Sequence, residues 1–288
     1  MGATARQNSQ LPKNRKRVKN MACRKMYAYQ NRTSPTSIEF GSSDEFSKKT
    51  LNLHKLLFGV DSKTSSTRIL QNHLTEFEWV KRNKLPPNFW GRYLTGDDCL
   101  THEEIRFLHM QGCKIAPLYI DKSTKKTESQ GKQTASAVAT QARYLNIPCN
   151  TVIFLEISER ESVSTSYMKG FISGMLEYGY IPGWKANTDA MFGFDKEFSR
   201  GMQTDTELFR QSQIWATAPT IKEYDEITTS HLIHPDYWKP YAPSGITRNE
   251  IAVWQYGQKC HQIFDDENNK TYFNIDLIQN MNMFKSMF

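Results

Sequence analysis

The chain has 288 residues, of which 38% are hydrophobic and 12% aromatic. This length and composition allow one large α/β domain or two smaller ones, with ample apolar side chains for a core. No apolar run reaches about 18 residues, so we expect no membrane-spanning helix. The N-terminus lacks the apolar segment of a secretory signal, so the expected location is the cytoplasm, or the cell wall by a non-classical route.

The net charge of +7 is concentrated near the N-terminus. Residues 1–50 contain eleven Lys and Arg but three Asp and Glu, which gives this segment +8 and leaves the remainder at −1. The segment is polar and without sustained periodicity, so we predict a disordered basic arm, followed by a folded domain over residues 51–288. Within the arm, residues 13–19 could contact an anionic polymer. The alternatives are a solvated tail, or translated sequence upstream of a start at Met21 or Met26.

The sequence has no motif for a metal or for a nucleotide cofactor. The five cysteines are scattered and lack a CxxC or Cys/His spacing, which favours free thiols in a reduced compartment. His231, His234 and Asp236 are loosely spaced in an irregular polar stretch, so we expect no metal there. Neither a G-x-S-x-G motif nor a glycine-rich phosphate loop is present, so no cofactor is expected.

From residue 55 onward, predicted strands and helices alternate. Strands rich in branched and aromatic residues are predicted at residues 57–61, 89–94, 114–121, 151–158 and 180–185. Helices are predicted between them, at residues 67–82, 101–112, 131–146 and 163–178. Pro86 ends the first helix, and Thr101 with Glu104 forms a capping box that opens the second.

The rhythm changes after the fifth strand. Further strands are predicted at residues 213–218, 251–258 and 272–276, separated by coil-rich segments without clean helical periods. Strand–helix alternation implies a parallel sheet with right-handed connections, and this many repeats favours closure. We therefore predict an α/β fold, a TIM-like barrel that has lost its helices after the fifth strand.

Three acidic residues end predicted strands: Asp61 the first, Glu156 the fourth and Asp276 the last. In such a barrel the strand C-termini meet at one mouth, where catalytic residues lie. Hydrolysis of a glycosidic bond needs carboxyl groups on both sides of that bond. The three positions therefore suggest a sugar-cleaving site.

Alternation within the fourth strand predicts where Glu156 points. Ile153, Leu155 and Ile157 form an apolar face suited to packing under helices. Glu156 and Ser158 share the other face, which is directed toward the barrel axis. A charged residue on this face near a strand end belongs at the mouth, because deep burial without a partner is costly.

Each assignment has a structural alternative. Glu156 could form a salt bridge to Arg92, near the end of the second strand. Asp61 could cap a turn, and Asp276 could be an ordinary hydrogen-bonding residue at a strand end. Aromatic residues near strand ends are candidates for stacking on sugar rings, although strand aromatics are more often core. These candidates are Tyr119, Trp184, Trp215, Trp254 and Tyr256.

Short motifs along the domain resemble those of one family in their order and spacing. They lie at residues 58–61 (Phe-Gly-Val-Asp), 91–94 (Gly-Arg-Tyr-Leu), 100–101 (Leu-Thr), 115–119 (Ile-Ala-Pro-Leu-Tyr), 142–148 (Ala-Arg-Tyr-Leu-Asn-Ile-Pro), 153–156 (Ile-Phe-Leu-Glu), 253–256 (Val-Trp-Gln-Tyr) and 274–276 (Asn-Ile-Asp). Together they make residues 55–280 similar to the glycoside-hydrolase-like barrel domain of uncharacterised bacterial proteins, related to Chalaropsis-type lysozymes (glycoside hydrolase family 25). The resemblance implies a (β/α)₅β₃ barrel that acts on or binds an amino-sugar polymer such as peptidoglycan.

The resemblance also implies the position at which the catalytic acid is expected. In the lysozymes the fourth strand ends in Asp-x-Glu, and the Glu is the proton donor. The matching triplet here places Ser158 at the donor position, and a hydroxyl cannot protonate a leaving group at a useful pKa. Glu156 cannot reach that position, because two strand residues span about 6.6 Å. Glu159 could turn inward only if the strand ends before it.

Two hypotheses follow. In the first, Asp61, Glu156 and Asp276 line the cleft of a glycan hydrolase. The acid is then Glu156 or Glu159, and the substrate acetamido group serves as nucleophile. In the second, the barrel is a pseudoenzyme that binds glycan or serves as a structural or phage-associated module. Side chains expected to contact the sugar are Arg92, Tyr119, Ser158, Trp184, Trp215, Trp254 and Tyr256.

Overall fold

The computed structural model describes residues 56–70, 73–82, 86–218, 238–261 and 272–288. In these residues eight strands follow one another around a closed barrel in chain order, so the predicted α/β, TIM-like class is confirmed. The strands are β1 (Leu57–Ser62), β2 (Phe89–Tyr93), β3 (Lys114–Ile120), β4 (Val152–Ile157), β5 (Ile181–Ala186), β6 (Gln213–Ala216), β7 (Val253–His261) and β8 (Tyr272–Ile278).

A helix follows each of the first five strands, which gives the expected (β/α)₅β₃ order. The helices are α1 (Glu76–Arg82), α2 (His102–Met110), α3 (Glu128–Tyr144), α4 (Thr165–Glu177), α5 (Gly193–Thr204), the short α6 (Thr206–Phe209) and, after β8, α7 (Met281–Lys285). Between β6 and β7 the described residues contain only one 3₁₀ turn, Arg248–Glu250. Helix α1 begins later than predicted because the chain first folds back, with the Glu76 N–H donating to the Arg68 carbonyl oxygen at 3.0 Å.

The helix α5 corrects the expectation of coil after the fifth strand. Phe194, Phe198 and Met202 recur every four residues and are buried, which forms an apolar stripe along the helix. Polar residues and two glycines weaken the pattern in the sequence. One of these glycines is needed, since a Cβ at Gly201 would lie 2.1 Å from the ring of Phe209. Tertiary packing therefore outweighs the weak local preference.

The expectation of a parallel sheet is wrong at β8, which runs antiparallel to both β7 and β1. Only residues 262–271 separate β7 from β8, fewer than the dozen or so that a parallel crossover needs. The C-terminal end of β8 therefore points away from the mouth. Asp276 pairs with Gly59 in the β1–β8 register, whereas Asn274 pairs with Asp61. Asp276 thus lies one layer below the mouth.

The barrel wall separates two apolar cores. The inner core, around the axis, includes Leu57, Phe89, Phe154, Trp215 and Val253. The outer core lies under the helices and includes Ile153, Leu155 and Ile157 of β4. The predicted alternation of β4 is confirmed, and the same parity determines which residues of each strand can reach the mouth.

The C-terminal segment packs against the end of the barrel opposite the mouth. Met283 of α7 and Met287 belong to the inner core. The Ile115 N–H donates to the Phe288 carbonyl oxygen at 2.7 Å, and the Phe288 N–H donates back to the Ile115 carbonyl oxygen at 3.1 Å. The C-terminal ends of β1 to β7 are therefore the end at which a ligand can enter.

Several other predictions have separate outcomes. Cys99 and Cys113 are free thiols. Cys149 is disulfide-bonded, so the expectation of free thiols is wrong there. None of the described helices is long and apolar enough to cross a membrane. The basic arm (residues 1–50) and the polar stretch with His231, His234 and Asp236 lie outside the described residues.

Candidate functional site

Inward-facing residues at the mouth form one cluster of charges. Asp61 lies on β1, Glu156 on β4 and Lys185 on β5. The Lys185 Nζ is 2.6 Å from Asp61 Oδ1 and 3.6 Å from Glu156 Oε2. Asp61 and Lys185 are buried, whereas 25% of the Glu156 side chain is exposed. The structure thus brings Asp61 and Glu156 together, with an ammonium group between them.

Lys185 is not among the residues predicted for the site, although the sequence carries a signal for it. Lys185 shares the inner face of β5 with Gly183, by the same alternation that places Glu156, and it pairs with Glu156 in the β4–β5 register. Burial lowers the pKa of Lys185, but the negative charges of Asp61 and its neighbours raise it more, to well above the usual value. Lys185 is therefore an ammonium ion at neutral pH.

Glu156 is held as a carboxylate by two side chains that reach it directly. The Tyr93 hydroxyl, from the end of β2, donates to Glu156 Oε2. Burial raises the pKa of Glu156, but Lys185, the Tyr93 hydrogen bond and Lys63 together hold it below the usual value. Lys185 also lies 5.8 Å from the centre of the Tyr93 ring, within range of a cation–π contact. The alternative prediction of a salt bridge between Glu156 and Arg92 is wrong, because Glu156 pairs with Lys185 and Arg92 pairs with Glu104.

Asp276 lies beneath this cluster as a neutral carboxylic acid. Its Oδ1 accepts a hydrogen bond from Trp215 Nε1 at 2.9 Å. Burial, followed by the negative charge of Asp61 and a hydrogen bond between the two carboxyl groups, raises the pKa of Asp276 well above its usual value. The Oδ2 atoms of Asp61 and Asp276 are buried and receive no other donor from a described residue.

The protonated state of Asp276 predicts a pH-dependent stability. In the unfolded chain this carboxyl ionises near its ordinary pKa of about 3.9, whereas in the fold it stays neutral to a higher pH. At a pH between the unfolded-state pKa and the folded-state pKa of Asp276, the unfolded state binds fewer protons than the folded state. The contribution of Asp276 to the free energy of unfolding therefore falls as the pH rises. Asp276→Asn keeps the shape and a donor toward Asp61 but cannot ionise. We expect its free energy of unfolding, relative to wild type, to increase with pH by about 1.4 kcal/mol per unit of pKa difference.

Urea unfolding of wild type and Asp276→Asn at several values from about pH 4 to about pH 8 measures this difference. Asp97→Asn, at an exposed position, is the matched control, because it makes the same chemical change outside the buried cluster. A free-energy difference between Asp276→Asn and wild type that does not change with pH would show that Asp276 is ionised in the fold.

A cavity of about 740 Å³ opens over the ends of β1, β2 and β3. Tyr93 and the half-buried Tyr119 line it. The Tyr93 hydroxyl bonds Glu156, so Tyr93 connects the lining of the cavity with the charged cluster. The size of the cavity suits an oligosaccharide, and its aromatic wall suits the apolar faces of sugar rings.

Ser158 and Glu159 lie just beyond the end of β4, and both are exposed. The Ser158 N–H donates to Glu161 Oε2 at 3.0 Å, which fixes the start of the loop. The Glu159 Oε1 accepts a hydrogen bond from Asn187 Nδ2 at 2.5 Å. Asn187 follows β5, so Glu159 lies at the rim between β4 and β5.

Arg92 faces away from the mouth, so the expected contact between this residue and sugar is not possible in this structure. Its guanidinium is fully buried and binds Glu104 of α2 through two hydrogen bonds, at 2.8 and 3.1 Å. It also donates to the carbonyl oxygens of Ser62 at 2.8 Å and Asp98 at 2.7 Å. Arg92 therefore connects the end of β1 with the β2–α2 loop and with helix α2.

The predicted sugar-stacking tryptophans also lie in the cores. Trp184 is fully buried and packs against Phe171 of α4 at 4.9 Å between ring centres. Trp254 is buried in the outer core with Tyr256. Trp215 lies inside the barrel, 5.1 Å from Phe154. Of the five aromatic candidates, only Tyr119 lines the cavity. No group of His, Cys, Asp and Glu within the described ranges is arranged to hold a metal ion.

Comparisons with known proteins agree with this fold. A family model described as "Rv2525c-like, glycoside hydrolase-like domain" matches residues 83–279, which confirms the family resemblance. An uncharacterised protein of B. stearothermophilus has a similar structure, with a TM-score of 0.65 and 24% identity over 81% of this chain and 100% of that chain. This likeness concerns the fold alone.

Two other solved structures are less similar to this chain. The catalytic domain of endolysin ply40 from bacteriophage P40 of Listeria monocytogenes gives a TM-score of 0.49 and 12% identity, over 81% of this chain and 97% of that chain. A family GH25 lysozyme from Aspergillus fumigatus gives 0.42 and 13%, over 81% and 99%. No curated protein matches the sequence.

Proposed function

Because the chain belongs to the Rv2525c-like family of glycoside hydrolase-like domains, we propose that it binds an amino-sugar polymer such as peptidoglycan at the mouth of the barrel, without cleaving it. The cavity over the ends of β1, β2 and β3 provides the aromatic wall and polar rim that sugar recognition needs. Glu156 has a quarter of its side chain exposed and can accept hydrogen bonds from sugar hydroxyls.

The observation that carries the proposal is the charge state of Glu156. A general acid must hold a proton near the working pH, and glycosidases raise the pKa of that carboxyl to do so. Here Lys185 and Tyr93 act in the opposite direction and hold Glu156 as an anion. An anion at this position can bind hydroxyl groups but cannot protonate a leaving oxygen.

The remaining groups at the mouth do not supply the missing acid. Asp61 is buried and paired with Lys185 at 2.6 Å. Asp276 carries a proton but is fully buried below Asp61, out of contact with a ligand. Ser158, at the position where the related lysozymes have their donor, has only a hydroxyl. The two-carboxyl mechanism therefore lacks its acid among these groups.

A second candidate function is hydrolysis with Glu159 as the acid. Its support is the exposed position of Glu159 at the rim, where Asn187 orients the carboxyl group. Glu156 would then stabilise positive charge on the sugar ring in the transition state. This candidate needs Glu159 to turn from Asn187 toward the cleft.

One experiment separates the two candidates. The protein is mixed with insoluble peptidoglycan, and both the sedimented fraction and the released reducing ends are measured. We expect sedimentation with the polymer and no release of reducing ends. Tyr119→Ala should weaken binding about tenfold, since it removes a sugar-facing aromatic. Tyr144→Ala is the control, because Tyr144 is 69% exposed at the end of α3 that leads toward the start of β4.

The outcomes that oppose the proposal are distinct. Release of reducing ends that Glu159→Gln abolishes, while Ser158→Ala does not, would establish hydrolysis with Glu159 as the acid. Release abolished by Glu156→Gln alone would show that Glu156 is protonated when it acts. A protein that fails to sediment with peptidoglycan would contradict binding to this polymer.

A further inference from the structure

Two loops supply much of the lining of the cavity over the ends of β1, β2 and β3. The β1–α1 loop contributes Lys63, Thr64 and Arg68, and the β2–α2 loop contributes residues 95–98. Loops are ordinarily among the more mobile parts of a fold, so a cavity built from them needs contacts that fix their positions before a ligand binds.

We propose that Arg92 and Glu104 are positioning residues for this cavity, a buried pair that fixes both loops without touching the ligand. The inference rests on the proposed function, because it names the residues that shape the same site. Neither side chain is more than 1% exposed, so water does not compete for the hydrogen bonds that the pair makes.

Arg92 holds the backbone at the start of the first loop and within the second. Its Nη1 donates to the Ser62 carbonyl oxygen at 2.8 Å, and its Nη2 donates to the Asp98 carbonyl oxygen at 2.7 Å. Ser62 ends β1 directly before Lys63, and Asp98 is itself part of the lining. One planar guanidinium group therefore sets the spacing between the two loops.

Glu104 extends this connection to the middle of the β1–α1 loop. Its Oε1 accepts hydrogen bonds from the Ser66 N–H at 2.7 Å, the Ser66 hydroxyl at 2.8 Å and Arg92 Nε at 2.8 Å. Asp98 adds a further link, since its Oδ2 accepts the Ser65 N–H at 2.8 Å. The backbone of residues 62–66 is thus held at Ser62, Ser65 and Ser66, in each case by a charged side chain from β2, α2 or the loop between them.

The partners of the pair distinguish positioning from stability alone. Every side-chain hydrogen bond that Arg92 and Glu104 make with another described residue goes to Ser62, Ser66 or Asp98. All three partners lie in the two loops or at the strand end from which the first loop starts. A ligand that meets loops already fixed in this way binds without the cost of ordering them.

The test uses Arg92→Lys, which keeps a positive charge beside Glu104 but not the planar fork that reaches both loops together. Backbone order parameters from ¹⁵N relaxation report mobility within the folded state, so a loss of global stability alone does not change them. In wild type we expect values of about 0.85 for residues 63–68 and 95–98, as in rigid backbone, and in Arg92→Lys values below about 0.6. The helix α4 should keep its order parameters in both proteins.

Affinity for insoluble peptidoglycan, measured by sedimentation, should fall about tenfold in Arg92→Lys, because binding must then order the loops. Arg106→Lys is the matched control, since it makes the same change at an exposed position on α2, and it should alter neither measurement. If Arg92→Lys does not fold, Ser66→Ala removes a single neutral donor to Glu104 and should give the same pattern with smaller changes.

Three results would overturn the inference. They are loops already mobile in wild type, order parameters that stay unchanged or fall equally in α4, and mobile loops with wild-type affinity for peptidoglycan. A wild-type protein that does not bind peptidoglycan would contradict the proposed function instead, and the order parameters alone would then decide whether the pair fixes the loops.

Discussion

Replacing Lys185 by methionine is expected to destabilise the barrel by about 3–5 kcal/mol, the usual cost of removing one partner from a buried ion pair. The ammonium of Lys185 is 2.6 Å from Asp61 and 3.6 Å from Glu156. Without it, the buried carboxylate of Asp61 and the partly exposed carboxylate of Glu156 lose the cation that lies between them. Urea unfolding at neutral pH, followed by circular dichroism, measures the loss.

Two further variants show whether the loss comes from the ion pair. Lys185→Met/Asp61→Asn removes both the cation and its nearest anion, so it should recover a large part of the stability. Lys132→Met removes a lysine from a pair with Glu128 in which both side chains are 54% exposed, and should cost less than about 1 kcal/mol. If Lys185→Met is no more destabilising than Lys132→Met, Lys185 does not neutralise the cluster.

Replacing Arg92 by methionine is expected to cost a similar amount, about 3–5 kcal/mol. Arg92 and Glu104 have side chains with at most 1% exposure, and Glu104 also accepts the Ser66 N–H at 2.7 Å. Glu76 nearby is neutral, because burial raises its pKa well above the usual value. Glu104 is thus the carboxylate whose negative charge Arg92 balances. Without Arg92, this negative charge remains in the core without a partner.

A double-mutant cycle tests this account. Arg92→Met/Glu104→Met removes both charges and should cost less than the sum of the two single variants. The exposed control is Arg106→Met on α2, whose partner Glu103 lies 3.1 Å away and is 77% exposed. That variant should lose less than about 1 kcal/mol. Additive losses in the cycle, measured by urea unfolding, would show that Arg92 and Glu104 act independently.

The alternation of side chains between the two faces of a strand is what allows the sequence to predict which residues face the mouth. Alternation in β4 places Glu156 inward, and the same rule applied to β5 and β2 would have found Lys185 and Tyr93. The rule would also have placed Arg92 on the outer face, since it lies between Gly91 and Tyr93. A position near a strand end does not by itself determine which face of the strand a charged or aromatic residue occupies.

Other features of the site depend on contacts between distant parts of the chain, so they cannot be predicted from the sequence of one strand. The direction of β8 depends on its neighbours rather than on its own pattern, so the depth of Asp276 could not be predicted from its place near a strand end. The raised pKa of Asp276 depends in part on the charge of Asp61, a residue far away in the sequence. The helix α5 was hidden because its stripe of Phe194, Phe198 and Met202 is stabilised by packing rather than by local preference.

The protonation state of Glu156 is most directly tested by a carbon-detected NMR titration of its side-chain carboxyl group. We expect a midpoint below the ordinary glutamate value of about 4.3, and an upward shift of that midpoint in Lys185→Met. The carboxyl of Asp276 should titrate well above the ordinary aspartate value in the same spectra. A Glu156 midpoint raised to about 6, as in a glycosidase acid, would contradict a mouth that binds sugar without cleaving it.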